Sequence, residues 1–291
     1  MTNKNQSKDT LFSGEHFQYM GNMWNSLLGD GGNLFIYLRE GVEKGTMIFN
    51  TLCNGTEEAQ LIAHPEEKTE IPVLYTLGPT DEGYTFISAA TLLNGIKTNM
   101  ILTDMFTWDN KLEGSFAGIT KGNPRILNFY NPLFMRDKDL FAPSKDYEVS
   151  LSAIALHMEL LKEETLRFSE GAGYEHDLAE FLKKNPGKTK KDFPYTELHI
   201  GKQLRMFYTR GVVGEYETVG EIEAIESTSI FDTPIQILRV NFGHKGEDDF
   251  ILNLYTSYFA RGEYMPKVGD IIHTNLWLMG YILPLPAEAE F

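Results

Sequence analysis

Two histidines of this chain stand near glutamates. His176 and Glu180 lie four residues apart in "YEHDLAE", and His157 opens "HMELLKEE", with Glu164 seven residues on. Residues four apart share a helix face. A neutral imidazole and a carboxylate can jointly hold a divalent ion or relay a proton. The same pairs arise on any solvated helix of an acid-rich chain, and this one carries 41 Asp and Glu. His157, His176 and Glu180 therefore point to a hydrolase or transferase only if other groups converge on them from distant segments. No histidine pair has the spacing of a zinc helix, no glycine loop carries a lysine for phosphate, and Ser26 lacks the glycine flanks of a nucleophile elbow. Cys53 is the only cysteine, which excludes an intrachain disulfide and a multi-cysteine metal site. No cofactor and no metal are expected.

Lysines supply the other local concentration of charge. "KKNPGKTKK" places Lys183, Lys184, Lys188, Lys190 and Lys191 in one short stretch, and "GKQLRMFYTR" follows with Arg205, Phe207, Tyr208 and Arg210. Cations beside aromatic rings are the makings of a single-strand binding groove. The bland alternative is a solvated loop whose lysines favour the end of a helix. A formal net charge of -15 opposes the approach of any polyanion. Nucleic acid is thus an unlikely partner, and another protein or a second copy of the chain is the expected one. Aromatic residues crowd the C-terminal third, and Tyr255, Tyr258 and Tyr264 are the tyrosines expected on a protein-facing surface, together with Lys188, Lys190, Lys191, Phe207 and Tyr208.

These residues must be positioned by elements that punctuation and periodicity outline. Residues 16–28 have helical spacing of Phe17, Met20, Trp24, Leu27 and Leu28, and residues 174–184 have it again in Leu178, Phe181 and Leu182. "NLFIYL", "GTMIFNTL" and "IPVLYTL" read as short strands. "DYEVSLSAIALHMELLKEE" starts with strand alternation and turns helical in composition from Ala153. The last third alternates strand patterns with the turns "FDTP", "GHKGED" and "GEYMPKVGD". With 42% hydrophobic residues the chain can bury a substantial core. It has no apolar run long enough to span a bilayer and no apolar signal-peptide core, so a cytoplasmic location is expected and no membrane partner.

One stretch occurs twice. "ILNFYNPLF" (126–134) and "ILNLYTSYF" (251–259) share Ile, Leu, Asn, Tyr and Phe in register, and Phe141 with Tyr264, Pro143 with Pro266 and Asp146 with Asp270 follow after small slips. The recurrence implies a strand, a proline-closed loop and another strand in each half. The order of elements over 205–282 resembles the oligonucleotide-binding (OB) fold, a five-stranded Greek-key barrel, as an architecture and not as a family. The resulting expectation is a strand-dominated α+β protein. Residues 12–185 would form a mixed domain containing a second, related β module, and residues 205–285 a small C-terminal barrel, with a boundary at 186–204. A barrel architecture alone assigns no activity. The leading functional expectation is a non-enzymatic protein-interaction or structural protein. A hydrolase or transferase and a single-stranded nucleic-acid-binding protein are the alternatives.

Overall fold

A computed structural model describes residues 16–29, 34–53, 57–65, 70–162, 164–200, 204–244, 246 and 248–283. Strands dominate. The chain opens with helices α1 (His16–Leu28) and α2 (Leu34–Lys44), followed by an antiparallel meander of β1 (Thr46–Cys53), β2 (Glu57–His64), β3 (Val73–Thr80) and β4 (Gly83–Thr91). α2 covers the stretch expected as the strand "NLFIYL". Leu38 and Val42, one turn apart, pack on the same apolar cluster, so the helical period prevails over the local strand propensity.

Next come β5 (Ile96–Thr107), β6 (Gly114–Thr120), β7 (Ile126–Tyr130), α3 (Phe134–Leu140) and β8 (Lys145–Leu160). A small unit of β9 (Glu164–Phe168), α4 (Ala172–Lys184), a 3-10 turn at Lys190–Asp192 and β10 (Thr196–Ile200) leads to β11 (Met206–Thr209). The last elements are β12 (Glu215–Ile230), β13 (Thr233–Asn241), β14 (Ile251–Thr256), α5 (Tyr258–Arg261) and β15 (Ile271–Ile282). β8 runs unbroken through the segment whose composition turned helical at Ala153. It is paired on one edge to β5 and on the other to β15, and Leu151 to Ala155 are buried on both faces. A strand buried on both faces loses its polar alternation, which is why its pattern reads as a helix.

Nine strands form one sheet in the order β11-β12-β13-β14-β8-β15-β7-β6-β5, and extra pairings of β12 with β15 and of β8 with β5 return it on itself. Two five-strand circuits result: β5-β6-β7-β15-β8 and β12-β13-β14-β8-β15. They share β8 and β15, which pair antiparallel from Ile272–Leu160 to Ile282–Val149. The ranges expected as separate domains, 12–185 and 205–285, therefore contribute strands to one sheet. The strands within 205–285 do not close a circuit alone; β8 from the other half completes it. A single apolar cluster runs through both circuits, from Phe116, Phe129 and Leu151 to Leu238, Leu254 and Leu276. Outside them, Tyr130, Ile154, Tyr255, Trp277 and Met279 meet α1 and the meander through Trp24, Leu27, Val73 and Tyr75.

Candidate functional site

Corresponding strands of the two circuits make corresponding pairs. Tyr130 of β7 lies beside Met279 of β15, and Tyr255 of β14 lies beside Ile154 of β8, both in parallel pairing. One residue shift carries Tyr130 to Tyr255 and Ile154 to Met279. With β8 carried onto β15 by that shift, the β5 pairs Ile96–Leu151 and Asn99–Glu148 fall on the β12 pairs Tyr216–Leu276 and Val219–His273, so β5 maps onto β12 with a slightly shorter offset. That offset also carries the register break after Leu102 in β5 onto the break after Ile222 in β12. The recurrence visible in the sequence, read there as a strand, a proline-closed loop and another strand, contains a short helix in each half (α3 and α5) and is one part of a longer repeat in pairing, from β5 to β8 and from β12 to β15.

The repeat exposes one difference between the halves. Tyr216, Glu217, Thr218 and Val219 are paired on their second edge by β11: Met206 lies opposite Val219, Phe207 opposite Thr218, Tyr208 opposite Glu217 and Thr209 opposite Tyr216. Their counterparts are Ile96, Lys97, Thr98 and Asn99, whose second edge has no strand among the described residues. Its backbone hydrogen bond there runs from the Lys121 N–H to the Asn99 carbonyl, which stops the edge at its Asn99 end. These same four residues line a cleft of about 540 Å³. The β6–β7 turn with Lys121 and Asn123 and, from the other half, Arg239, Phe250 and Ile251 complete its lining; Arg125 and Asn123 of that turn bond Asp248.

The filled edge and the open edge carry opposite charge. Around β11, Arg205 Nη2 lies 2.7 Å from Glu221 Oε2 and Arg210 Nη1 lies 3.7 Å from Glu215 Oε1, so a strand with basic ends lies on an acidic neighbour. In the open cleft the neighbour is basic. Lys97 stands where the other half has Glu217, and Arg239 stands where it has Ala117. Lys97 pairs with Glu148 at 2.7 Å, Lys121 with Asp146 at 2.6 Å and Arg239 with Glu223 at 3.4 Å. Most of these side chains are solvated, and exposed pairs are held weakly. Asp249 is the one carboxylate in the lining. It accepts from Asn241 Nδ2 at 2.7 Å and from the Gly246 N–H at 3.1 Å.

The residues expected from the sequence to form an interaction surface are dispersed. Tyr255 is buried, and its hydroxyl donates to the Asn94 carbonyl at 2.9 Å, so it lines the core and not a surface. Phe207 is turned inward from β11, 4.6 Å from Tyr216, 5.5 Å from Phe242 and 5.0 Å from Phe250 between ring centres. Tyr208, its neighbour, points outward and is 66% exposed. Tyr264 packs partly on the core and donates to Asp270 at 2.6 Å; burial first, then that carboxylate, raises its pKa. Tyr258 is exposed on α5 with Phe259, and donates to Glu263 at 2.7 Å.

The lysines lie on the small unit between β8 and β11. Lys188 reaches Asp192 at 3.5 Å, Lys190 sits 5.3 Å over the Tyr174 ring, and Lys191 is exposed. That unit has its own aromatic centre, in which Phe193 stacks on Tyr174 and Phe181. The inward turn of Phe207 removes one ring from the groove expected beside the lysines.

Of the catalytic candidates, His157 is exposed on β8 and His176 is exposed on α4. Glu180 faces Lys184 at 3.3 Å, and Asp177 beside it accepts from Thr196. His157 and His176 belong to different elements, and among the described residues no three His, Cys, Asp or Glu side chains form a group able to hold a metal. His273 on β15 has carboxylates on both sides, Glu217 3.0 Å from Nε2 and Glu159 3.4 Å from Nδ1, which is an outer-face bridge across three strands. No helix of the described chain is long and apolar enough to cross a membrane.

Sequence reasoning missed the cleft residues Lys97, Asn99, Lys121 and Arg239. The available signal was the recurrence itself, extended upstream to β5 and β12, where Lys97 and Glu217 become counterparts. No protein-family model, curated protein or solved structure matches the chain.

Proposed function

We propose that this is a non-enzymatic protein-interaction protein, built from two interlocked OB-type rings. The strand order supports the ring assignment. In each circuit a three-strand meander is followed by a helix and a fourth strand that pairs with the first. The fifth position, parallel to the third strand, is taken by the fourth strand of the other half. OB-type rings use the face of their second and third strands to bind oligonucleotides and oligosaccharides, so the ring marks where a ligand sits and the edge described next decides its class. In the second ring those strands are β13 and β14, whose residues Arg239 and Ile251 line the cleft.

The observation that carries this proposal is the edge Ile96–Asn99, which has no strand beside it among the described residues and is bonded there only by Lys121 at Asn99, whereas its counterpart in the other half holds a strand. An open strand edge inside a cleft offers main-chain hydrogen bonds to a partner, and hydrogen bonding of this kind needs no catalytic group. The test is hydrogen–deuterium exchange of the protein with native-lysate fractions: intact, nuclease-treated and protease-treated. Protection of 96–99, 120–123 and 239–251 that survives nuclease and is lost after protease is the expected result. Protection abolished by nuclease, or absent from the cleft in every fraction, refutes it.

A further inference from the structure

Resting on that protein-interaction reading, we propose that the open edge takes an extended acidic peptide segment of a partner protein, added as a strand alongside Ile96–Asn99. The geometry of the occupant comes from the filled counterpart. There a four-residue strand lies antiparallel on Tyr216–Val219 and turns one aromatic side chain, Phe207, into the core beside Tyr216, Phe242 and Phe250. Four residues of strand span about 14 Å. The open cleft has its own partly apolar floor in Ile96, Phe250 and Ile251, so it can seat one inward apolar residue of the incoming strand.

The chemistry of the occupant comes from the charge reversal. β11 brings Arg205 and Arg210 to Glu221 and Glu215. The cleft offers Lys97, Lys121 and Arg239. An incoming strand with carboxylates at its ends can replace the solvated partners Glu148 and Asp146, which Lys97 and Lys121 hold through exposed pairs, and can share Arg239 with the half-buried Glu223. Two features favour a peptide over a nucleic-acid strand. The lining offers main-chain groups along an edge, which pair with another backbone. It also has no exposed aromatic ring on which bases could stack, because Phe250 is buried. The flanking acids and the net charge of -15 further disfavour a polyanion.

A peptide derived from β11 serves as the probe. It comprises residues 204–210 with Arg205→Glu and Arg210→Glu, labelled with fluorescein, and is compared with the unmodified 204–210 peptide and with a labelled single-stranded oligonucleotide. Anisotropy titrations use the full chain, and hydrogen–deuterium exchange locates the binding. The acid-ended peptide is expected to bind about tenfold more tightly than the basic one at low salt, with the difference shrinking as salt rises. It is expected to protect 96–99 and not 215–219. Lys97→Glu with Arg239→Glu, both at solvated positions, should reverse the preference between the two peptides. Lys97→Pro is compared with Lys97→Ala, which loses the same charge but keeps the backbone donor; relative to Lys97→Ala it should weaken both peptides by the same further factor, and circular dichroism verifies that each variant is folded. Equal binding of the two peptides, protection away from 96–99, or no reversal in the charge variant overturns the inference. An oligonucleotide that protects the cleft when neither peptide does overturns it in favour of nucleic acid. If the peptides fail but nuclease-resistant, protease-sensitive lysate protection of the cleft persists, the protein-interaction reading stands and only the acidic strand is lost.

Discussion

Sharing β8 and β15 and one apolar cluster couples the circuits, and the expected consequence is that they unfold together. Leu238 of β13 belongs to the second circuit only and is fully buried in the common cluster. Truncating such a leucine to alanine costs about 2–5 kcal/mol, because transfer free energy and a residual cavity add. With about 3 kcal/mol lost and a urea dependence of about 3 kcal/mol per molar for a chain of this size, the midpoint moves down by about 1 M. The assay is hydrogen exchange against urea, read on β6 (114–120), which belongs only to the first circuit, and on β13 (233–241). In the wild type both should lose protection at one midpoint. In Leu238→Ala both should move together by about 1 M, although β6 lies on the other circuit. A shift confined to 233–241, with 114–120 unmoved, would show two independent folding units and refute the interlocked pairing.

The cluster that ties α3 to the end of β15 should be equally sensitive. Asp137 is fully buried, accepts from Asn131 at 2.7 Å and from the Ile282 N–H at 2.8 Å, and is paired with the buried Arg136. Asp137→Ala removes the carboxylate that neutralises that buried guanidinium, which keeps its bond to the Ile282 carbonyl, and should cost about 3–5 kcal/mol in urea unfolding. Tyr216 bridges both backbone groups of Asn128, and burial lifts its phenol from 10.0 to about 12. A raised folded value means that the linked stability is complete below pH 10 and is lost as pH rises through about 12. Tyr216→Phe should lower stability by about 1–2 kcal/mol at neutral pH and flatten the alkaline decline in urea midpoints between pH 10 and about 12. Finally, Tyr255→Ala should cost about 3 kcal/mol or more, while Tyr258→Ala on the exposed helix should change thermal stability by no more than about 0.5 kcal/mol. Comparable losses would contradict the buried and exposed placements.

What could be read from the sequence follows from what is local. α1 and α4 each have one face against the protein and one toward solvent, so their helical periods survive in the residue order. The recurrence at Ile126 and Ile251 was legible because β7 and β14 make the same contacts in both halves. β8 was not legible as a strand throughout, since a strand shared by two circuits has no polar face along Leu151–Ala155. Tyr255 misleads for a related reason. Alternation in β14 implies one wet face, but that face is covered by the N-terminal helices and meander, so the tyrosine is buried. The cleft was the least accessible feature. It depends on β5, the β6–β7 turn and β13–β14 coming together, and no local pattern encodes a vacancy.

An open edge also invites a defensive explanation. Proteins protect short exposed strands with lysine, and Lys97 alone would satisfy that rule. Three features go beyond protection. The edge lies inside a cleft whose lining gathers residues from both halves, where a protective charge on the edge strand would suffice alone. Arg239 comes from the opposite half, and it stands where the other half has alanine, so the charge is built across the repeat and not confined to the edge strand. The filled edge shows the complementary arrangement, with acids on β12 meeting arginines on β11. A protective charge needs only repulsion between copies. The sign changes at one equivalent edge position, Lys97 against Glu217, and the cations gathered around it from the β6–β7 turn and from β13 suit a strand with acidic ends.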